Sequence, residues 1–482
     1  MVKSREGGFI NELPHKISPK PPSIKYGTKL PRESIGEVLW RKFFKSGIIF
    51  GLIGWTFGAV MLAYIAFSHS YFKVPIPVIL SHVHIQIFGW VGLFIMGFAY
   101  QAFPRFKFIS LWNPQLAILS FWIMVSGTLI TAVSWAFLTF KPFFVLGILG
   151  SIAELIAVLI FFLVIFKTMR KTVEKRRFWE KYVFTAVMFF LVQAFLNPVL
   201  FFLMGDATLK SNAALLIERV ASFAVPYQDI QLFGFIVMMI FGVNQRFVPF
   251  VFNIKEPSKR LGDFSYYAFV FSLILVVSLH LLIRAYKLDF LRPYILIPYM
   301  GFFISSLGVI SNIGIFRKAK NPGRELKFIR AAYIWLIISI LLLLLLPLYS
   351  HFISGRFSHN YFGAYRHALT VGFISLMIMG VASRVTPIIS GVKPKGSLIV
   401  PFILVNLGNL LRVVFQILSD FEGVITNPLF ALNPFILGAS GFIQVMGFSF
   451  WAYDMWSTAN EGIKSQKERD LVREHQDGLK AK

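Results

Sequence analysis

HVHIQIFGWVGLFIMGFAYQAFPRF, residues 82–106, follows a template that the chain uses three times. The second copy is YQDIQLFGFIVMMIFGVNQRFVPF (227–250) and the third YRHALTVGFISLMIMGVASRVTPI (365–388). Gly89, Gly234 and Gly372 are followed at identical spacing by Gly97, Gly242 and Gly380, then by Pro104, Pro249 and Pro387. A shared period of this kind means one structural unit used three times. His84, Asp229 and His367 occupy one position of that unit, and His82, Tyr227 and Tyr365 another.

Each copy sits in an apolar run long enough to cross a bilayer, and such runs recur along the whole chain. Of the 482 residues, 56% are hydrophobic and 55 are Phe. Spans are expected near 44–67, 78–103, 114–138, 143–166, 179–203, 223–250, 265–284, 292–316, 330–352, 362–388, 396–418 and 430–456. Lipid offers no hydrogen-bond partners, so the backbone there must be helical. The expectation is an all-α membrane protein of about 12 helices in three pseudo-repeated groups of four, 44–166, 179–316 and 330–456. Polar tails flank them at 1–43 and 457–482, and no soluble domain or removable signal peptide is expected.

The net charge of +26 does not point to nucleic acid, because the basic residues lie between the apolar runs. The tails and even-numbered connections, with the helix ends beside them, hold 36 Lys and Arg, and the odd-numbered connections with theirs hold 9. That bias places both termini in the cytoplasm of a multi-pass bacterial inner-membrane protein. The richest loops, KTMRKTVEKRR and RKAKNPGRELK, suit contact with anionic membrane lipids.

Cysteine is absent. Disulfides, thiolate metal sites, iron–sulfur clusters and covalent CxxCH haem attachment are therefore excluded. Histidine is concentrated instead at the outer helix ends, at His69, His82, His84, His280, His351, His359 and His367; His15 and His475 are in the tails. His69, His351 and His359 read as interfacial polar residues. An ionisable residue inside a span is a functional candidate, and His84 and His367 sit about one turn inside theirs. Two neutral imidazoles from facing helices can take both axial positions of a haem iron, so this pair is the expected ligand set. The alternative is two polar histidines packed against Asp229 or lining a water pocket.

His82 points about 200° away from His84 at ~100° per residue, and so serves a different site or a supporting contact. His82 is a candidate for a second metal or haem site that His280 could join, and Asp229 needs a partner, such as Arg219, Arg366, a His or a metal, or else supports a haem ligand. Tyr227 and Tyr365 are placed to bond propionates or a gas. Arg219, Arg284, Arg356 and Arg366 are outer-side cations that pair with propionates or else serve as interfacial anchors. Glu154 reads either as part of a proton path or as a protonated group bonded to a neighbouring helix.

Twelve helices in three groups, with His near the outer ends of spans 2 and 10, resemble haem–copper oxidase subunit I. That resemblance implies low-spin haem ligation by His84 and His367. A closer resemblance is to the NnrS-type membrane family, carried by His82, His84, Phe88, Gly89, Gly92, Gly97 and Phe98, and by His367-Ala368-Leu369-Thr370-Val371-Gly372 with Met379, Val381 and Arg384. It implies non-covalent haem, of b or o type, and a role in the nitric-oxide response. The sixth span reads Tyr227-Gln228-Asp229 where the oxidases place a copper-binding His, and no adjacent His pair follows. Haem is thus better supported than copper.

The leading expectation is a haem protein acting in nitric-oxide response or electron transfer, with a redox partner subunit or cytochrome and a small gas ligand, NO or O2. A divergent NO or oxygen reductase subunit is the alternative, and a cofactor-free transporter or assembly scaffold the second.

Overall fold

The computed structural model describes residues 35–70, 73–172, 176–320, 322–422 and 428–480. Most of the expected N-terminal tail, with His15, lies outside the described residues, and so does the side chain of His475. Among the described residues all regular structure is helical. Twelve helices are long and apolar enough to cross a membrane. They are α1 (Leu39–Ser68), α2 (Ile76–Phe106), α3 (Pro114–Ala136), α4 (Lys141–Met169), α5 (Trp179–Leu209), α6 (Ala213–Phe252), α7 (Lys259–Arg284), α8 (Asp289–Ile313), α9 (Leu326–Ile353), α10 (His359–Ser390), α11 (Ile399–Phe421) and α12 (Phe430–Ile463).

Every expected span is present, and the departures are at the ends. α6 starts ten residues before the expected boundary because Asn212 caps it, its side-chain oxygen accepting from the Leu215 N–H. The polar Glu218-Arg219 pair had hidden that start. The last helix runs on as one element to Lys480, through the expected C-terminal tail. Other ends follow local chemistry. Asn113 caps α3 with Pro114 at the first helical position. Gly314 and Gly391 close α8 and α10 at φ +66°, a conformation that costs glycine nothing.

The helices pack in sequence, each against the next, and α12 closes on α1. The template helices are the most enclosed. α2, α6 and α10 are 72, 83 and 78% buried over their apolar windows, against 33–50% for the other nine. The outer nine present apolar side chains such as Leu129, Phe195 and Phe271 outward, as a lipid-facing surface requires.

The repeated glycines have a packing role. A Cβ on Gly89 would strike Phe50 of α1, one on Gly234 would strike Phe189 of α5, and one on Gly372 would strike Trp335 of α9. An aromatic side chain from the preceding span thus fills the space left by the first glycine in all three copies, so these glycines serve helix packing and not the approach of a flat ligand ring.

Each template helix also changes form at the same place. Ile85–Gly92, Ile230–Val237 and Ala368–Ser375 are π-helical. All three segments begin immediately after His84, Asp229 or His367. Runs with i→i+5 bonding are rare and gather at functional sites.

Candidate functional site

One large cavity, of about 1640 Å³, opens among the helix ends opposite those that carry the termini. Its walls are mainly apolar, with Trp55 and Leu62 of α1, Trp90 of α2, Ile236 of α6 and Ile374 of α10 among them. Against this apolar background stand a few convergent polar groups, the usual composition of a small-molecule site.

His82 and His367 are two of these groups. The His367 Nδ1 lies 2.9 Å from the Gly363 carbonyl. A carbonyl only accepts, so Nδ1 carries the proton and Nε2 keeps its lone pair. Fixing one ring nitrogen in this way is how proteins orient an imidazole ligand. His82 packs on α1 at Gly58, where a Cβ would sit 2.5 Å from its Cε1. Its Nδ1 is buried with no hydrogen-bond partner.

His84 has a different place. It is buried outside the cavity lining, and its Nε2 lies 2.7 Å from Oε1 of Glu154 on α4. The other Glu154 oxygen accepts from Asn197 Nδ2 at 2.7 Å. The structure therefore does not bring His84 together with His367, as the repeat had suggested. It brings His82. The opposed directions of His82 and His84 were legible in their spacing; which of them faces the cavity was not. Glu154 is bonded to two neighbouring helices, through His84 of α2 and Asn197 of α5.

Asp229 is also buried outside the lining. Its Oδ2 lies 2.8 Å from His280 Nδ1, and its Oδ1 3.6 Å from Arg366 Nη2. It joins α6, α7 and α10, while His280 and Arg366 themselves line the cavity. Tyr227 and Tyr365 do not. The Tyr227 hydroxyl donates to the Gln193 carbonyl at 3.2 Å, and Tyr365 is 1% exposed, edge-on to Phe362. Arg284 and Arg356 line the cavity, whereas Arg219 turns to Asp206 at 3.0 Å. Arg412, Gln86 and Gln231 line it without having been singled out as ligand-site residues. Gln86 and Gln231 share one template position, a signal the repeat contained.

At the mouth, Asp420 accepts hydrogen bonds from Tyr349 at 2.9 Å, from Asn360 at 2.8 Å and from Ser358. His69 lies 2.6 Å from Glu422, and His359 lines the rim.

The family described as NnrS protein matches residues 40–459. The chain belongs to the NnrS family. No curated protein matches it. The match takes in every helix that lines the cavity, and it agrees with the resemblance carried by α2 and α10.

The residues fit a haem. Two imidazoles line one cavity, one with an unbonded buried nitrogen and the other with its tautomer fixed. Arg366 keeps Nε and Nη2 without a hydrogen bond, beside a cavity that also has Arg284 and Arg356 on its wall. Such cations suit the carboxylates of a tetrapyrrole. A bare metal ion fits less well. Among the described residues, no three His, Asp or Glu side chains are grouped to hold one.

Proposed function

We propose that this NnrS-family membrane protein binds haem in the α2–α10 cavity and acts in the nitric-oxide response of a bacterial inner membrane. His82 and His367 would hold it in this reading. The observation that carries it is that these two imidazoles, one from α2 and one from α10, line a single apolar cavity. His84 then serves as a structural partner of Glu154. Arg366, with Arg284 and Arg356 nearer the mouth, would pair with the propionates.

When bound, such a haem supplies a one-electron couple. The protein's part is to hold both rings, exclude water with the apolar walls and balance the propionates. Held by both imidazoles, the group would suit electron transfer with a redox partner better than capture of a gas. The termini lie on the cytoplasmic side, as the excess of Lys and Arg at that end supports.

The test is the optical spectrum of the full chain, purified in detergent from haem-replete cells. The expected result is a sharp reduced α-band that is lost in His82→Ala and in His367→Ala. A colourless protein would end this reading in favour of a scaffold or transporter.

A further inference from the structure

His280 also lines the cavity, and ligation by His82 and His367 leaves it without a role. It stands on α7, with Nδ1 2.8 Å from Oδ2 of Asp229 on α6. The carboxylate accepts, so Nδ1 donates and Nε2 carries the lone pair. The two side chains are buried unequally. Asp229 is 4% exposed, whereas His280 keeps 16%. A carboxylate that holds one imidazole nitrogen and leaves the other free is the arrangement of a proton acceptor. Histidine is also the side chain whose unperturbed charge change falls between about pH 5 and 8.

The surroundings tie that charge to the cavity. α7 packs mainly on α6 and α8. Asp229 comes from α6, the phenol of Tyr299 from α8, and Arg284 from the next turn of α7 itself. Further out, Lys287 and Glu218 form their own pair at 3.9 Å. Asp229 has a second partner in Arg366 of α10, whose Nη2 is 3.6 Å from Oδ1. One carboxylate thus serves both the imidazole and the guanidinium next to His367 in the chain. With His280 neutral, Asp229 offsets one of the two guanidiniums. A proton on His280 adds a further positive charge among mainly apolar walls, and negative charge arriving in the cavity favours it.

We propose that His280, with Asp229 as its positioning residue, is a redox-linked proton acceptor that takes up one proton when a haem in the cavity gains one electron. The electron comes from the redox partner. The proton comes from hydronium entering at the mouth, which is left as water, and it forms the Nε2–H bond. Linkage is reciprocal, so a protonated His280 favours the electron in turn. The inference rests on the haem reading above and adds to it the proton that balances the electron.

The experiment measures the midpoint potential of the full chain, purified in detergent from haem-replete cells, at a series of pH values. The expected result is a potential that falls as pH rises, by up to about 59 mV for each tenfold drop in proton concentration. His280→Gln still donates to Asp229 but cannot take the proton. It keeps the haem content and the sharp reduced band and loses the pH dependence. His359→Gln, at the rim, keeps that dependence. A second readout needs no variant. The infrared difference between the oxidised and reduced wild-type chain should contain a ring band that changes from imidazole to imidazolium and moves when histidine carries nitrogen-15. A potential independent of pH, a dependence that survives in haem-loaded His280→Gln, or no imidazolium band on reduction overturns the proposal and leaves the haem site standing. Absence of any haem removes both.

Discussion

His84 and Glu154 form a buried pair across α2 and α4, with Nε2 and Oε1 2.7 Å apart and side-chain exposures of 5 and 0%. Asn197 completes the shell around the carboxylate from α5. This pair fixes the face of α2 that turns inward against its own neighbours, and thereby the face on which His82 reaches the cavity.

Removing His84 should cost stability and not ligation. A buried carboxylate deprived of its partner is destabilising by about 3–5 kcal/mol when it remains charged. In His84→Asn, thermal unfolding in detergent should start at a lower temperature, while the spectrum of any bound haem keeps its low-spin form. Loss of that form in a folded His84→Asn protein would return the ligand role to His84.

Gly58 gives His82 its place. A Cβ there would sit 2.5 Å from the imidazole Cε1, so Gly58→Ala must push the ring or α1 aside. The expected result is a reduced haem content with a broadened α-band. The comparison is Gly372→Ala, which crowds Trp335 away from the cavity and costs about 1–3 kcal/mol as overpacking. Its haem spectrum should be unchanged.

Asp229 ties three helices together. Asp229→Leu leaves Arg366 without its anion and His280 without its acceptor. A broken buried pair costs about 3–5 kcal/mol, read as a lowered unfolding midpoint. Asp229→Asn, which can still accept from His280, should lose less. Equal losses would show that the contacts do not depend on charge.

Much of this arrangement was legible in the sequence. The glycine and proline spacing identified α2, α6 and α10 as one unit, and these became the enclosed helices because each glycine admits an aromatic side chain of its own preceding span. Hydropathy found the outer nine. What it could not give is the direction of a side chain. His84 was favoured because it matched Asp229 and His367 in the repeat, but Glu154 lies 70 residues away and no local pattern announces that bond. Nor does any propensity foretell three π-helical segments in the same register; they are tertiary features of the packed bundle.

The cavity mouth depends on Asp420. Hydrogen bonds to a charged group contribute about 1.5–3 kcal/mol each, and Asp420 accepts them from Tyr349, Ser358 and Asn360. Asp420→Ala should free the segment 354–360, seen as faster hydrogen exchange there than in the helix interiors. Unchanged exchange would mean that packing alone holds the rim.

The central claim, that His82 and His367 share one iron, is tested most directly by low-temperature electron paramagnetic resonance of the oxidised protein. The account predicts a low-spin ferric signal of the bis-imidazole kind that disappears in His82→Ala and in His367→Ala and persists in His84→Asn. A signal that survives in His82→Ala and vanishes in His84→Asn would contradict it.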